Sequence, residues 1–187
     1  MLRIALIVGS TRAERFADLP ARWIAHAAAR RTDLRLETLD LRRLALPLLG
    51  EPGAQAIAAG WQRQLARFDG YVATVAEYNH GPPAALKNAF DMAREEWARK
   101  PIGFVGYGGL GAARAIEQLR NVAVELEMAP LRPAVHISGE CFRQASRHGA
   151  PLEAYEELAR SREALFDHLA WWGRALREAR AVPDAVA

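Results

Sequence analysis

The residues best suited to chemistry begin at Gly9-Ser10-Thr11-Arg12-Ala13-Glu14-Arg15-Phe16. Small residues let a backbone approach a ligand closely. Two hydroxyls and a run of N–H groups leading into a helix can donate to an anion, with the helix dipole assisting. Arg12 and Arg15 can add bidentate, charge-assisted bonds to a phosphate. The segment lacks the Lys-Ser/Thr ending of a P-loop, so nucleotide triphosphate hydrolysis is not indicated. The plainer alternative is a capped turn carrying two surface arginines.

A second polar segment, Thr74-Val75-Ala76-Glu77-Tyr78-Asn79-His80-Gly81-Pro82-Pro83, leads into Ala84-Ala85-Leu86-Lys87-Asn88-Ala89-Phe90-Asp91. An exposed, turn-forming backbone can bond the rim of a flat heterocycle. Tyr78 can supply an aromatic wall, and Pro82-Pro83 stiffen the loop. Lys87, Asn88 and Asp91 suit local bonds that hold the loop at least as well as ligand contact. His80 has the right pKa range for acid–base work, but nothing in the sequence positions it. The third segment, Gly106-Tyr107-Gly108-Gly109-Leu110-Gly111, matches G-x-G-x-x-G. A dinucleotide fingerprint needs an acidic residue about twenty positions on, at the end of the next strand, and Glu140 is too distant. A loop lying flat against a ring is the alternative.

These three segments must be held at one place. The aliphatic run Leu2–Val8 predicts a strand buried on both faces. Trp23, Ile24, Ala27 and Ala28 recur at helical spacing after the start signals Asp18 and Pro20. Leu34–Leu39 alternates, as a strand nearer an edge does. Ile57, Trp61, Leu65 and Phe68 form a helical stripe, and Tyr71–Val75 is a strand after the Asp69-Gly70 turn. A helix from Pro83 to about Ala93, a strand Ile102–Val105, a helix Ala112–Leu126 and a strand Leu131–Ile137 follow. A last helix from Leu152 to Arg180 turns Tyr155, Leu158, Leu165, Leu169, Trp172 and Leu176 inward. Strand–helix alternation repeated five times predicts a doubly wound parallel α/β sheet. Ligands then sit outside the carboxyl ends of the strands, where the order reverses. The three segments follow the first, third and fourth strands.

One domain over residues 1–182 with a frayed tail at 183–187 is the simplest organisation. No apolar stretch reaches the length of a membrane span, and the short run before Gly9 reads as a strand rather than a signal peptide. Cys141 is the only cysteine, which excludes an internal disulfide and suits the cytosol. The net charge of +3 is almost all arginine, Lys87 and Lys100 being the only lysines. Arginine alternates with glutamate along the helices, the pattern of a solvated face rather than of a nucleic-acid surface.

Taken together, Gly9-Ser10-Thr11-Arg12 with Arg15-Phe16, Glu77-Tyr78-Asn79 running into Pro83 and Leu86-Lys87-Asn88-Ala89, Glu96-Trp97 with Lys100-Pro101, and the 106–111 glycines resemble the NADPH-dependent FMN reductase family, which also contains quinone, azo-dye and chromate reductases. The resemblance spans roughly Leu2 to Ser138. It implies a flavodoxin-like fold with strand order 2-1-3-4-5, non-covalent FMN, NADPH or NADH as co-substrate, a cytoplasmic location, and a homodimer or homotetramer. Carried over by position, Ser10, Arg12, Arg15 and Phe16 surround the FMN phosphate. Ala76, Glu77, Tyr78 and Asn79 line the isoalloxazine, and Gly108 and Gly109 approach it from the other side. Ala76 stands where family members often carry proline. No catalytic side chain and no metal are implied, because the cofactor carries the chemistry. The rivals are a flavodoxin-type electron carrier, disfavoured by the basic charge, a receiver domain, which needs acidic residues at the ends of the first and third strands, and a relic of the fold that no longer binds FMN.

Overall fold

The computed structural model describes residues 1–182. The predicted tail, 183–187, lies outside the described residues. Five strands form one parallel sheet in the order β2-β1-β3-β4-β5. They are β1 (Leu2–Val8), β2 (Leu34–Asp40), β3 (Gly70–Ala76), β4 (Pro101–Tyr107) and β5 (Ala129–Ile137). The helices are α1 (Asp18–Ala28), α2 (Leu41–Leu44), α3 (Ala54–Ala66), α4 (Ala84–Asp91), α5 (Ala113–Glu125), α6 (Gly139–His148) and α7 (Glu156–Ala181).

Side-chain alternation along the strands divides the core into two halves. On β1, Ile4, Leu6 and Val8 pack with Trp23 and Ile24 of α1 and Leu165, Phe166 and Leu169 of α7. Ala5 and Ile7 point the other way, toward Trp61 of α3, Phe90 of α4 and Ile116 of α5. The central strands β3 and β4 are buried throughout, whereas β2 and β5 alternate between buried and exposed positions. Each large apolar side chain removed from water contributes about 1.5–3 kcal/mol, so the aliphatic runs dictate the middle of the sheet. The order reverses between β1 and β3, which opens the crevice at their carboxyl ends.

The doubly wound parallel sheet and its order match the expectation. Four local readings are corrected. Helices α2 and α6 were not foreseen: the first is one turn long, and the second buries only Cys141 and Ala145. The last helix starts at Glu156, after a 3₁₀ turn at Leu152–Ala154. Trp172 faces outward, 38% exposed, because Gly173 takes the inward position; a Cβ there would lie 2.6 Å from a Leu2 methyl. Ile57 is 48% exposed because the buried face of α3 runs through Ala54, Ala58, Trp61 and Leu65.

Candidate flavin site at the carboxyl end of the sheet

The loop after β1 is drawn tightly onto β3. The Gly9 N–H donates to Thr74 Oγ1 at 3.2 Å, and a Cβ at Gly9 would lie 2.5 Å from the Thr74 carbonyl oxygen. Only glycine fits that approach. Beyond it, the amide N–H groups of residues 11–17 find no protein acceptor among the described residues. Seven consecutive free donors ahead of α1 form a cradle for an anion. Arg12 is exposed and makes no ion pair among the described residues; its guanidinium lies 5.7 Å from the centre of the Tyr78 ring.

Arg15 has a different place from the one expected of it. Its guanidinium is 2% exposed and makes five hydrogen bonds. Nη1 donates to the Ser10 carbonyl at 2.7 Å and to Asp40 at 2.6 Å; Nη2 donates to Asp40 at 2.7 Å and to Asp18 at 2.6 Å. Nε donates to Asp18 at 3.0 Å. All five N–H groups are engaged, leaving none for a phosphate. Arg15 therefore does not contact the phosphate as expected of it and shapes the loop instead. The Arg15 guanidinium holds the Asp40 carboxyl below its ordinary range, against the opposing effect of burial. Phe16 is likewise part of the floor: its ring lies 5.2 Å from Tyr107 and 5.1 Å from Phe142 of α6.

The loop after β3 is a tight turn. Tyr78 and Gly81 exchange two backbone bonds of 3.0 Å, with Asn79 and His80 at φ of 50° and 70°. Two positive φ values in succession are the pattern of a type I′ turn, which asparagine tolerates well. The His80 carbonyl accepts from Gln118 at 2.9 Å, and His80 Nε2 lies 2.8 Å from Nη1 of Arg114. A guanidinium only donates, so Nε2 accepts and the ring proton sits on Nδ1. Glu77 reaches the start of α5. Its carboxylate accepts from the Arg114 N–H at 3.1 Å, the Ala115 N–H at 3.4 Å and Arg114 Nε at 2.6 Å. Burial pushes this carboxyl up, but the guanidinium and the two amides outweigh it and hold it below its ordinary value. Asn88 anchors the 47–49 segment, accepting from the Leu49 N–H at 2.9 Å and donating to the Pro47 carbonyl at 2.8 Å. Lys87 pairs with Asp91 on its own helix at 2.7 Å. Both are the local bonds that the sequence allowed.

The third loop meets the other two. Ser10, 1% exposed, places its hydroxyl 3.4 Å from that of Tyr78. The Tyr107 hydroxyl is buried at the same junction with Ser10 as a polar neighbour, yet it completes no hydrogen bond, and burial pushes its pKa well up. Gly106 belongs to β4, where a Cβ would collide with the Gly111 carbonyl oxygen. The G-x-G-x-x-G pattern is thus a packing requirement beneath α5 rather than a fingerprint. Gly108 and Gly109 differ: nothing lies within 4 Å of a Cβ built on either. They form an open ledge directly after Tyr107, whose ring packs on Phe16 of the first loop. An anion cradle, an unpartnered buried phenol and a side-chain-free ledge suit a phosphorylated flat heterocycle. Asp18, Asp40, Arg114 and Phe142 are the supporting residues that sequence reasoning missed. Asp18, three positions after Arg15, and the Ser138 and Gly149 pair bracketing α6 were the available signals.

The comparisons with known proteins point the same way. The profile of NADPH-dependent FMN reductases matches residues 2–140. An NAD(P)H-dependent FMN reductase of Schizosaccharomyces pombe is 35% identical over 144 residues, covering 71% of this chain and 72% of that protein. A 2-hydroxy-1,4-benzoquinone reductase of a Burkholderia species is 31% identical over 147 residues, covering 73% and 78%. Among solved structures, the flavoenzyme NAD(P)H:acceptor oxidoreductase FerB of Paracoccus denitrificans superposes with a TM-score of 0.75 at 21% identity, covering 94% of this chain and 98% of that one. At that identity the superposition speaks for the fold. On the match across most of its length, the chain belongs to the NADPH-dependent FMN reductase family.

Proposed function

We propose that this chain binds FMN non-covalently at the junction of its first, third and fourth βα loops and uses NADPH or NADH to reduce a small acceptor such as a quinone. The observation that carries the reading is the row of unpartnered amides at 11–17, in a loop whose Phe16 packs on Tyr107 directly before the open Gly108 and Gly109. In this reading the amides and Arg12 hold the phosphate, and Ser10 orients the loop from beneath. The 76–79 backbone borders the ring, Tyr78 walls it, and Gly108 and Gly109 lie against its face. When bound, FMN supplies the redox chemistry by accepting a hydride from the nicotinamide and passing electrons on. The protein's own part is to stack the reactants and exclude water. No side chain is assigned as an acid or base. His80, tied to Arg114 and Gln118, keeps the turn in shape. Azo dyes, metal oxyanions and free flavin are further acceptors of the same slot.

A homodimer or homotetramer is part of the proposal, supported by exposed Trp171 and Trp172 on α7; light scattering on the purified protein tests it. A cytoplasmic location is also part of it, in keeping with NAD(P)H as reductant and a single buried cysteine. The central test is an absorbance spectrum with added FMN and then NADPH. A yellow complex that bleaches on NADPH and recovers with a quinone is expected. A yellow protein that NADPH leaves unbleached would be an electron carrier, and one that binds no FMN would end the proposal. Arg12→Ala should weaken FMN binding by about 10–100-fold, the effect of losing charge-assisted hydrogen bonds, with little effect on turnover at saturating flavin.

A further inference from the structure

A cavity of about 590 Å³ lies on the far side of the β1 loop, between α1 and the carboxyl end of β2. Arg15, Asp18, Arg22, Thr38, Asp40, Arg42, Arg43 and Gln64 supply its polar lining. The two carboxylates are balanced by two arginines: Arg15 takes Asp40 bidentately and also bonds Asp18, and Arg42 lies 4.0 Å from Asp18. Arg42 joins the cavity wall to the flavin loop, donating to the carbonyls of Arg12 at 3.4 Å and Ala13 at 3.1 Å. That leaves two cations in surplus. Arg22 has no partner among the described residues, and Arg43, 85% exposed, touches Asp40 only through Nε at 3.7 Å. A concave site with the unpaired Arg22, the loosely held Arg43 and the neutral groups of Thr38 and Gln64 has the chemistry of a phosphate-monoester receptor.

Resting on the reductase reading above, we propose that this cavity receives the ribose 2′-phosphate of NADPH and so selects NADPH over NADH. The geometry has the right scale. β2 and β4 are three strand spacings apart, about 14 Å, within the reach of an extended dinucleotide whose nicotinamide lies over Gly108 and Gly109. In this reading the flavin phosphate is held by the 11–17 amides, and of that segment only Arg15 lines the cavity. An ordinary lattice of surface ion pairs would leave the arginines matched to carboxylates; here Arg22 has no ion pair among the described residues, and Arg43 has only its 3.7 Å contact with an Asp40 that Arg15 already holds.

The test is binding of adenosine 2′,5′-bisphosphate by calorimetry, with ADP, inorganic phosphate and FMN as comparison ligands, on the wild type and on Arg22→Ala/Arg43→Ala. Both substitutions are at the surface and leave the Arg15 network intact. The wild type is expected to prefer the 2′,5′-bisphosphate to ADP, and the double variant to lose that preference by about tenfold or more. In steady-state assays KM for NADPH should rise by a similar factor while KM for NADH and the FMN affinity stay level. Equal binding of ADP and the 2′,5′-bisphosphate, full competition by inorganic phosphate, displacement of FMN, or a parallel rise in both KM values would each overturn the proposal. Selective 2′,5′-bisphosphate binding that depends on Arg22 and Arg43 would support the site even in a protein that failed to bleach with NADPH, so the two readings fail separately.

Discussion

Replacing Arg15 with alanine separates a residue that shapes the loop from one that grips a ligand. In the structure its guanidinium meets Asp40, itself 12% exposed, and the half-exposed Asp18. Removing one partner of a buried ion pair costs about 3–5 kcal/mol, because the remaining charge stays out of water. The Asp18 contact, nearer solvent, adds about 0–1 kcal/mol. Flavin-free Arg15→Ala should therefore unfold with a urea midpoint about 1.5–3 M below wild type, taking a slope of about 2 kcal/mol/M. Arg15→Lys should recover less than half of this, since one ammonium cannot reproduce a five-bond planar fork. The pH dependence carries a sign. Asp40 is depressed in the folded state, so its contribution is present above the ordinary aspartate pKa, about 3.9, and is lost as pH falls through the depressed folded value. The gap between wild type and variant should accordingly narrow in acid. Tryptophan fluorescence of the flavin-free proteins in urea, at neutral and acid pH, provides the measurement. An Arg15→Ala protein within about 1 kcal/mol of wild type that had nonetheless lost FMN affinity would refute the reasoning and return Arg15 to the phosphate.

Three further outcomes follow from the same geometry. Gly109→Val should leave flavin-free stability within about 1 kcal/mol, since the glycine lies outside the left-handed region and its Cβ meets nothing, yet it should abolish tight FMN binding by filling the ledge; fluorescence titration with FMN reads it. Glu77→Gln should lower stability by about 1–2 kcal/mol by weakening the bonds to Arg114 and Ala115, and the difference should begin to shrink below the ordinary glutamate pKa and vanish only as pH falls through the depressed folded value, where the wild-type carboxylate loses its charge as well. Lys100, 7% exposed and bonded to the Tyr71 hydroxyl at 3.1 Å, is pushed down to about 8 by burial, with Arg180 acting in the same direction. Between pH 8 and about 10 the unfolded chain holds a proton that the folded one releases, so stability should rise with pH at up to about 1.4 kcal/mol per unit. Lys100→Met should flatten that rise in urea melts taken across the range.

The sheet was legible because its strands are aliphatic runs. Leu2–Val8 has the same limits in pattern and in structure, and the alternation at Leu34–Leu39 marked an edge. Helix α6 was hidden because it is polar overall and buries only Cys141 and Ala145, too few apolar residues to mark a helix in the sequence. Trp172 was misplaced because size alone argues for burial, whereas the close approach of α7 to Leu2 admits only Gly173. At the candidate site, three loops could be named from sequence, since their small and polar residues stand where a parallel sheet binds ligands. The roles of the charged side chains were harder to read. An arginine in a loop looks the same whether it meets a phosphate or an aspartate, and Asp40, twenty-five positions from Arg15, becomes its partner only through the pairing of β2 with β1.

That difficulty has a physical source in how the three loops are held. Each is tied down by charged groups: Arg15 to Asp18 and Asp40, Glu77 to the start of α5, and Arg114 to both Glu77 and His80. Once these groups are matched to one another, few ionic side chains of the loops remain to meet an anion, and recognition falls to backbone amides, glycines and Arg12, which has no ion pair among the described residues. Backbone donors fixed by tertiary ties are already oriented before a ligand arrives, so little ordering entropy is lost on binding. Such a site places weak demands on side-chain identity above the ring, which is consistent with relatives named for different acceptors, FMN in one and a benzoquinone in another. The demands fall instead on the ties. A change at Asp40 or Arg114, neither of which borders the flavin in this reading, should impair FMN binding as surely as a change at Ser10, and a comparison of FMN affinities for Asp40→Ala and Ser10→Ala tests that equivalence.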